Sequence, residues 1–346
     1  MRVLFSVDPE IPVPPKQYGG IERIVDGLIC ELRSRQYEVG LLAHPDSGTA
    51  TDFFRPWPGG RSNKPTDCLR NSATLTGAVG VFRPDVLHSF SRLGYMLPLL
   101  IKGLPKVMSY QRHTGGPRNR LAAKLGGRTF AFTACSEYIA RQGRQWGGQW
   151  FVVPNFADTR QYPFVPTVAA DSPLVFLSRV ERIKGAHTAI AIARRAGRRL
   201  IIAGNRVTEG EGAAYWEREI APNLGRDGIE YAGPVGDGQK SALLGSAAAM
   251  VVPVEWDEPF GIVFAEALAC GTPVISCPRG ALPEIIEHGR HGFLVNDVAE
   301  GVASVKRLGE IDRAECRAQA EKKFSRTVVT QQYISLYSSL MKERRQ

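Results

Sequence analysis

The sequence lacks features that would identify several common classes of protein. Its 346 residues contain no apolar run long enough to span a bilayer, so no transmembrane helix is predicted. The first residues, 1–8, hold one basic residue and a short apolar run followed by an acid, which is typical of a first strand and not of a secretion signal. The six cysteines form no C-x-x-C pair, which argues against a zinc site or a disulfide framework. We therefore expect a cytoplasmic protein with reduced thiols.

The usual nucleotide and metal motifs are also missing. No G-x-G-x-x-G follows the first predicted strand, where the sequence continues Ser6-Val7-Asp8-Pro9-Glu10, and this counts against a dinucleotide oxidoreductase. There is no P-loop, no G-x-S-x-G and no cluster of His, Cys and Asp with metal-ligand spacing. No Asp-x-Asp occurs that could hold a divalent metal on a diphosphate.

Charge is unevenly distributed along the chain. Residues 1–165 carry 21 Lys and Arg against 12 Asp and Glu, whereas residues 166–346 carry 23 against 22. The excess of basic residues in the first half indicates an anionic partner, such as an acidic acceptor or a phospholipid surface. Alternatively, it serves only to keep the protein soluble. Nucleic acid is disfavoured as a partner, because the basic residues are not interleaved with aromatic ones.

What the chain has in abundance is short apolar runs that alternate with helical periodicity. This pattern predicts an α/β protein with two doubly wound, Rossmann-like parallel sheets. We expect a long loop at Pro45–Pro65, an interdomain linker at Asp158–Ser172 and a terminal helix at Ser325–Lys342. The predicted strands are Arg2–Val7, Glu38–Ala43, Asp85–Ser89, Lys106–Tyr110, Phe130–Ala134, Phe151–Val153, Leu174–Leu177, Leu200–Ala203, Ile229–Tyr231, Met250–Val254, Val274–Ser276 and Phe293–Val295.

One stretch, Glu255–Gly271, combines a predicted helix with two acids. The helix is expected over Phe260–Cys270, with Pro259 at its start and Gly271 after its end. Glu258 precedes the helix and Glu266 lies about two turns inside it. Since a helix amino terminus favours an anion and carboxylates accept hydrogen bonds from hydroxyls, the pattern suits a diphosphate with a polyol on each side. A nucleotide sugar has this layout.

Two cations in the second half complement these acids. Arg179 follows the predicted strand Leu174–Leu177, and Lys184 is expected to open the next helix. Both can face the carboxyl edge of the sheet, where they would balance the charge of a departing diphosphate.

With these residues in view, the chain resembles family 4 of the retaining glycosyltransferases, which have the GT-B fold. The resemblance covers nearly the whole chain in order, and its most specific feature is the Glu-x7-Glu spacing of Glu258 and Glu266. The other matching elements are Tyr18-Gly19-Gly20-Ile21-Glu22, Val153-Pro154-Asn155, Arg179 with Lys184-Gly185, Glu258-Pro259-Phe260-Gly261, Gly271-Thr272-Pro273-Val274-Ile275 and Gly280-Ala281-Leu282-Pro283-Glu284.

The resemblance implies a role for each matching position. Glu258 would bind hydroxyls of the donor sugar, Glu266 would bind the ribose, and Arg179 and Lys184 would neutralise the diphosphate. The backbone N–H groups of Phe260, Gly261 and Ile262 would meet sugar and diphosphate. Gly19 and Gly20 would let the backbone approach the phosphates. His113 resembles the active-site histidine of the family, although Thr114 stands where the family often has Asp. The catalytic set is therefore predicted to be His113, Arg179, Lys184 and Glu258.

The family also implies a division of labour and a reaction. Residues 1–165 would form the acceptor-binding domain, with residues 325–346 packing back on it, and residues 166–324 would form the donor-binding domain across a cleft. The enzyme would be a hexosyltransferase that moves a sugar from a nucleoside diphosphate sugar to a hydroxyl of a glycan, lipid or small glycoside. It would retain the anomeric configuration and require neither metal nor cofactor.

Two other functions and two groups of residues stay open from the sequence. The alternatives are a sugar-nucleotide 2-epimerase and a sugar-nucleotide-binding module without activity. Trp256 and Asp257 either touch the donor or pack. Arg118, Arg120 and Lys124 either meet an anionic acceptor or the inner face of a membrane, or they face solvent. The sugar, the base, the acceptor and the oligomeric state are not encoded in any pattern.

Overall fold

The structure is a computed structural model that describes residues 1–16, 19–113 and 116–344. It divides into two units, of which unit 1 comprises Met1–Asn155 and Arg326–Gln346 and unit 2 comprises Phe156–Ser325. The division falls before the stretch predicted as a linker, because hydrogen bonds hold that stretch on unit 2. Val165 N donates to the Cys270 carbonyl at 3.0 Å, and the Arg317 guanidinium donates to the Tyr162 carbonyl at 2.7 Å.

Unit 1 contains a parallel sheet with the strand order β3-β2-β1-β4-β5-β6-β7. Its inner strands are almost wholly buried, as expected for a sheet with helices on each side. The elements are β1 (Arg2–Ser6), α1 (Gly20–Ser34), β2 (Glu38–Ala43), β3 (Phe53–Pro56), α2 (Pro65–Phe82), β4 (Val86–Ser89), α3 (Leu93–Leu100), β5 (Lys106–Tyr110), α4 (Pro117–Gly126), β6 (Phe130–Ala134), α5 (Glu137–Arg144) and β7 (Gln149–Val152).

The prediction of a long loop at Pro45–Pro65 is wrong, because β3 lies inside it. This strand pairs in parallel with β2 at the edge of the sheet, and three of its four residues are exposed. The Phe53 ring stacks on Phe82 at a centroid distance of 5.3 Å. An exposed edge strand needs no apolar run, so this one gave no periodic signal.

Unit 2 repeats the doubly wound arrangement with the strand order β10-β9-β8-β11-β12-β13. Its elements are β8 (Leu174–Leu177), α6 (Ala186–Arg195), β9 (Leu200–Ala203), α7 (Gly210–Tyr215), β10 (Ile229–Gly233), α8 (Asp237–Ser246), β11 (Ala249–Val252), α9 (Ile262–Ala269), β12 (Val274–Ser276), α10 (Leu282–Ile285), β13 (Gly292–Leu294), α11 (Val298–Lys306) and α12 (Arg313–Phe324).

The last helix, α13 (Arg326–Glu343), belongs to unit 1 and is joined to its sheet by buried hydrogen bonds. The Tyr337 hydroxyl lies 2.5 Å from His88 Nδ1, and Ser109 Oγ lies 2.6 Å from His88 Nε2. Burial lowers the pKa of His88 to about 3, so this imidazole stays neutral. It connects β4 to α13 without carrying charge.

Each sheet reverses its strand order at one point, which lies between β1 and β4 in unit 1 and between β8 and β11 in unit 2. In doubly wound sheets, ligands bind outside the carboxyl ends of the strands at such a point. The residues that follow these four strands are therefore the candidates for a site. Throughout the described ranges, no helix is both long and apolar enough to cross a membrane.

Candidate active site

The loop between β11 and α9 carries the first of the two predicted acids. Gly261 has a φ of 79°, and a Cβ at this position would lie 2.4 Å from the Phe264 ring. This left-handed residue delays the start of α9 to Ile262, so the prediction that the helix begins at Phe260 is wrong. Pro259 is therefore a loop residue and not the first residue of the helix.

The end of α9 follows the prediction. Gly271 has a φ of 80° and its N–H donates to the Leu268 carbonyl at 2.9 Å, while Thr272 N donates to the Ala267 carbonyl at 2.9 Å. These two bonds form a Schellman motif, which ends the helix at a glycine. The helix is short and almost wholly buried, so its position is fixed by the core of unit 2.

Glu258 is buried and neutralised on one side only. Its Oε2 accepts hydrogen bonds from Lys184 Nζ at 2.6 Å and from Trp256 Nε1 at 3.0 Å. Lys184 Nζ also lies 4.4 Å from the centroid of the Trp256 ring, a cation–π contact. No donor in the described part of the chain is within hydrogen-bond distance of Oε1. One oxygen is thus held by the protein, and the other can accept from a ligand hydroxyl.

The backbone around Glu258 is held by the turn at Gly280. The Glu258 carbonyl accepts a hydrogen bond from Ala281 N at 2.8 Å. A Cβ on Gly280 would lie 2.3 Å from that carbonyl oxygen, and Gly280 has a φ of 59°. No role is predicted from the sequence for the turn at Gly280. In the structure, this turn positions the backbone of Glu258.

Glu266 is arranged in the same one-sided way. Its Oε1 accepts from the Tyr162 hydroxyl at 2.8 Å and from Lys240 Nζ at 2.7 Å, and only 7% of the residue is exposed. Across the described residues, no donor reaches its Oε2. Neither Tyr162 nor Lys240 was predicted from the sequence. They lie 104 and 26 residues from Glu266 along the chain, so no spacing rule could have connected them.

Lys184 and Arg179 occupy the loop after β8. The expectation that Lys184 opens a helix is nearly right, since it ends a single 3-10 turn at Arg182–Lys184 just before α6. Gly185 has a φ of 78°, and a Cβ there would lie 2.0 Å from the Pro253 carbonyl oxygen. This close approach brings the β8 and β11 loops together, which is how Lys184 reaches Glu258.

Arg179 is half-exposed and is steadied by a carboxylate that the sequence did not single out. Arg179 Nη1 donates to Glu181 Oε1 at 2.7 Å. This charge-assisted hydrogen bond holds the guanidinium close to the end of β8, at the carboxyl edge of the unit 2 sheet. Within the described residues there is no group of three or more His, Cys, Asp or Glu that could hold a metal ion.

The remaining predicted site residues belong to unit 1. Helix α1 begins at Gly20, and a Cβ on Gly19 would lie 2.6 Å from Pro15 Cβ and 2.8 Å from Glu22 Oε2. His113 is exposed and follows the end of β5. Tyr18 and Thr114, which flank these residues, lie outside the described ranges. The roles predicted for Gly19, Gly20 and His113 stay predictions.

Unit 1 has a polar group of its own after β1 and β4, which the sequence reading missed. Burial raises the pKa of Asp8 to about 6, although Arg92 Nε lies 3.8 Å from its Oδ2 and opposes that rise. Burial also raises the pKa of Glu22. The hydroxyls of Ser6, Ser89 and Ser91, at and just after the ends of β1 and β4, lie 3.0–3.1 Å from one another. Isolated polar residues at strand ends gave no recognisable motif.

Comparison with known proteins identifies the family to which these two units belong. Residues 165–323 match the model of the glycosyl transferases group 1, and residues 18–161 match the model of glycosyltransferase family 4. The chain belongs to glycosyltransferase family 4. The predicted family is thereby confirmed.

A curated relative is similar to only part of the chain. Glycogen synthase of Mycobacterium tuberculosis is 32% identical over 179 residues, which are 49% of this chain and 42% of that protein. The chain thus spans less than half the length of this curated relative.

Solved structures match over almost the whole chain. Sucrose-phosphate synthase of Thermosynechococcus elongatus superposes with a TM-score of 0.81 at 18% identity, covering 99% of each chain. Anabaena HepE in complex with UDP-glucose superposes with a TM-score of 0.71 at 21% identity, covering 98% of this chain and 100% of that one. At these identities the likeness establishes the GT-B fold, as predicted.

Proposed function

We propose that this family 4 enzyme transfers a hexosyl group from a nucleoside diphosphate sugar to a hydroxyl acceptor, with retention of configuration. The observation that carries the proposal is the matched pair of buried acids, Glu258 and Glu266. Each has one oxygen neutralised by its own lysine and the other without a donor among the described residues. A donor with hydroxyls on both sides of a diphosphate fits two such acceptors beside one helix amino terminus.

Each acid serves a different part of the donor. Glu258 Oε1 accepts from hydroxyls of the transferred sugar, and Glu266 Oε2 accepts from the ribose. The backbone N–H groups of Phe260, Gly261 and Ile262 lie at the start of α9, where the helix dipole favours the diphosphate.

The cations act on the leaving group. As the bond between the anomeric carbon and the diphosphate oxygen breaks, the electron pair goes to that oxygen, and Arg179 and Lys184 stabilise the growing charge. The acceptor oxygen forms the new bond on the same face, and its proton passes to the departing diphosphate. Lys184 is held in place by Glu258 and Trp256, so it needs little reorganisation during the reaction.

Unit 1 supplies the acceptor site in this proposal. His113 contacts the transferred sugar, and Gly19 and Gly20 allow close approach of the backbone to the phosphates. The acidic group at Asp8 and Glu22 lies at the strand-order reversal of this unit, where acceptor hydroxyls would bind. We place the reaction in the cytoplasm, because the six cysteines are scattered along the sequence and form no C-x-x-C pair.

The donor site is tested by comparing the thermal shift of the wild type with that of one site variant and one control variant. Adding UDP-, GDP-, ADP- or dTDP-sugars in excess should raise the melting temperature for one base by mass action, and UDP-glucose, which HepE binds, is the first probe. Glu266→Gln should abolish this shift, whereas Glu230→Gln, an exposed acid on β10, should preserve it. A full shift with Glu266→Gln would remove the assignment.

Independence from metal is tested separately. We expect turnover to survive EDTA, because Arg179 and Lys184 supply the positive charge that a divalent ion supplies in other glycosyltransferases. Loss of activity with EDTA and its return with manganese would contradict this. Incubation of the protein with UDP-N-acetylglucosamine alone distinguishes transfer from 2-epimerisation, since only the epimerase forms a new sugar nucleotide without an acceptor.

A further inference from the structure

One part of unit 1 is free of acids over a long stretch. Residues 86–136 contain eight Lys and Arg and no Asp or Glu, so much of the basic character of the first half is concentrated here. The stretch includes α3, α4 and the 3-10 turn at Gly127–Thr129 that follows α4. The cations are Arg92, Lys102, Lys106, Arg112, Arg118, Arg120, Lys124 and Arg128.

The same stretch exposes large aliphatic side chains in pairs. Leu97, on α3, and Ile101, the residue after its end, are 49% and 74% exposed. Leu121 and Leu125 on α4 are 53% and 41% exposed. A spacing of four residues places each pair on one side of its helix, and α3 and α4 are in contact. The four side chains therefore belong to neighbouring parts of one surface.

The cations around these side chains have no counter-charges in the part of the chain that the structure describes. Lys102, Arg118, Arg120, Lys124 and Arg128 are all exposed, and none forms an ion pair with any residue that the structure describes. Two exposed arginines elsewhere in unit 1 do have a carboxylate partner, in the pairs Arg33–Asp52 and Arg144–Glu137. An uncompensated group of this size is suited to an external anion.

A buried lysine ties the two ends of the surface together. Lys106 Nζ donates to the carbonyls of Lys102 and Leu104, each at 2.6 Å, and to Thr129 Oγ1 at 3.3 Å. These bonds join the turn after α3 to the turn after α4. The surface is thus held as one unit by the sheet beneath it.

We propose that this α3–α4 surface docks on an anionic phospholipid bilayer. It is formed by Leu97, Ile101, Lys102, Arg118, Arg120, Leu121, Lys124, Leu125 and Arg128. Aliphatic side chains enter the boundary between headgroups and acyl chains, while the cations neutralise lipid phosphates. Nucleic acid fits less well, because the exposed apolar residues here are aliphatic and offer no ring for a base to stack on. The inference is independent of glycosyl transfer, since docking requires no donor.

The test is co-sedimentation of the full chain with vesicles of phosphatidylcholine, with and without phosphatidylglycerol. Binding should require phosphatidylglycerol and weaken as salt is raised. Arg118→Gln/Arg120→Gln/Lys124→Gln should bind about 100-fold more weakly, at roughly fivefold per cation. The matched control, Arg55→Gln/Lys64→Gln/Arg70→Gln, removes the same charge from exposed positions elsewhere in unit 1 and should bind within about threefold of wild type at raised salt.

A second pair of variants separates docking from general attraction to a basic protein. Leu121→Ser/Leu125→Ser should weaken binding at least about tenfold, because two exposed aliphatic side chains that enter the bilayer are lost. Leu69→Ser/Val81→Ser alters side chains on α2 that are each 73% exposed and should have no effect. Full binding by the Leu121/Leu125 variant, equal losses in the two charge variants, or stronger competition by a nucleic acid homopolymer than by lipid would each overturn the proposal.

Discussion

The two units differ in how their buried polar residues are compensated. Both place polar residues where the strand order of a doubly wound sheet reverses. In unit 2 the buried acids are paired with lysines, Glu258 with Lys184 and Glu266 with Lys240. In unit 1 the buried polar groups are neutral or weakly compensated, as the hydrogen-bonded His88 and the raised pKa of Asp8 demonstrate.

The two units therefore differ in how well they accommodate buried charged side chains. Ion pairs in unit 2 compensate the acids and hold the lysines in place, which suits a permanently charged diphosphate and its hydroxyl neighbours. In unit 1, burial makes the charged form of Asp8 unfavourable. The Oδ1 atom of Asp8 is buried without a hydrogen-bond partner among the described residues. Such a site suits neutral hydroxyls. Four substitutions test this contrast, from the largest expected effect to the smallest.

Lys184→Gln should have the largest effect, because it breaks the buried ion pair with Glu258 and removes a cation that, in the proposed mechanism, stabilises the leaving group. We expect kcat/KM to fall about 10²–10³-fold. Unpairing the buried Glu258 should also lower the free energy of unfolding by about 3–5 kcal/mol. The double variant Lys184→Gln/Glu258→Gln should recover most of the stability and none of the activity. Recovery of both, measured by steady-state kinetics and denaturant unfolding, would mean that the pair is structural only.

Asp8→Asn should reveal the charge penalty in unit 1 through the pH dependence of stability. Since burial raises the pKa of Asp8 from 3.8 to about 6, the native state binds this proton more tightly than the unfolded state. The penalty is therefore absent well below pH 3.8, small near pH 4 and complete above about pH 7. The variant should exceed wild type by up to about 3 kcal/mol at pH 8 and by less than about 1 kcal/mol near pH 4.

Urea unfolding at the two pH values measures this difference. The control is Asp171→Asn, an exposed acid in unit 2, which should give the same offset from wild type at both. A constant offset for Asp8→Asn as well would show that unit 1 tolerates this charge as readily as a surface position does.

Tyr337→Phe tests the neutral network that joins α13 to the sheet. Removing the hydroxyl leaves His88 Nδ1 buried without its partner, which should cost about 1–3 kcal/mol of unfolding free energy. Tyr37→Phe is the matched control at a half-buried position and should stay within about 0.5 kcal/mol of wild type. An unchanged Tyr337→Phe melting curve would contradict a structural role for this contact.

Lys240→Gln should have the smallest effect, since the Tyr162 hydroxyl still donates to Glu266. We expect the KM for the donor to rise about tenfold with little change in kcat, because the ribose contact is distant from the reacting bond. A fall in kcat at unchanged KM would place Glu266 near the transferred sugar and reverse the roles assigned to the two acids.

Much of the fold was readable because its signals are local. Apolar runs such as Leu174–Leu177 and Val274–Ser276 predicted strands with correct bounds, and Gly271 predicted the end of α9. The errors also have local causes. β3 is an exposed edge strand with no apolar run, and the left-handed Gly261 shortens a helix whose composition favoured an earlier start.

The sequence by itself determined the doubly wound fold class and the family, and it singled out Glu258 and Glu266 as candidate site residues. Each of these follows from a pattern in neighbouring residues or from a fixed spacing. Only the tertiary structure decided which lysine neutralises which acid, that Tyr162 joins Glu266, that Gly280 holds the Glu258 backbone, and that burial raises the pKa of Asp8. These facts depend on contacts between residues far apart in the chain and on exclusion of water. Neither is a property of a residue and its neighbours, because both arise only when the core closes.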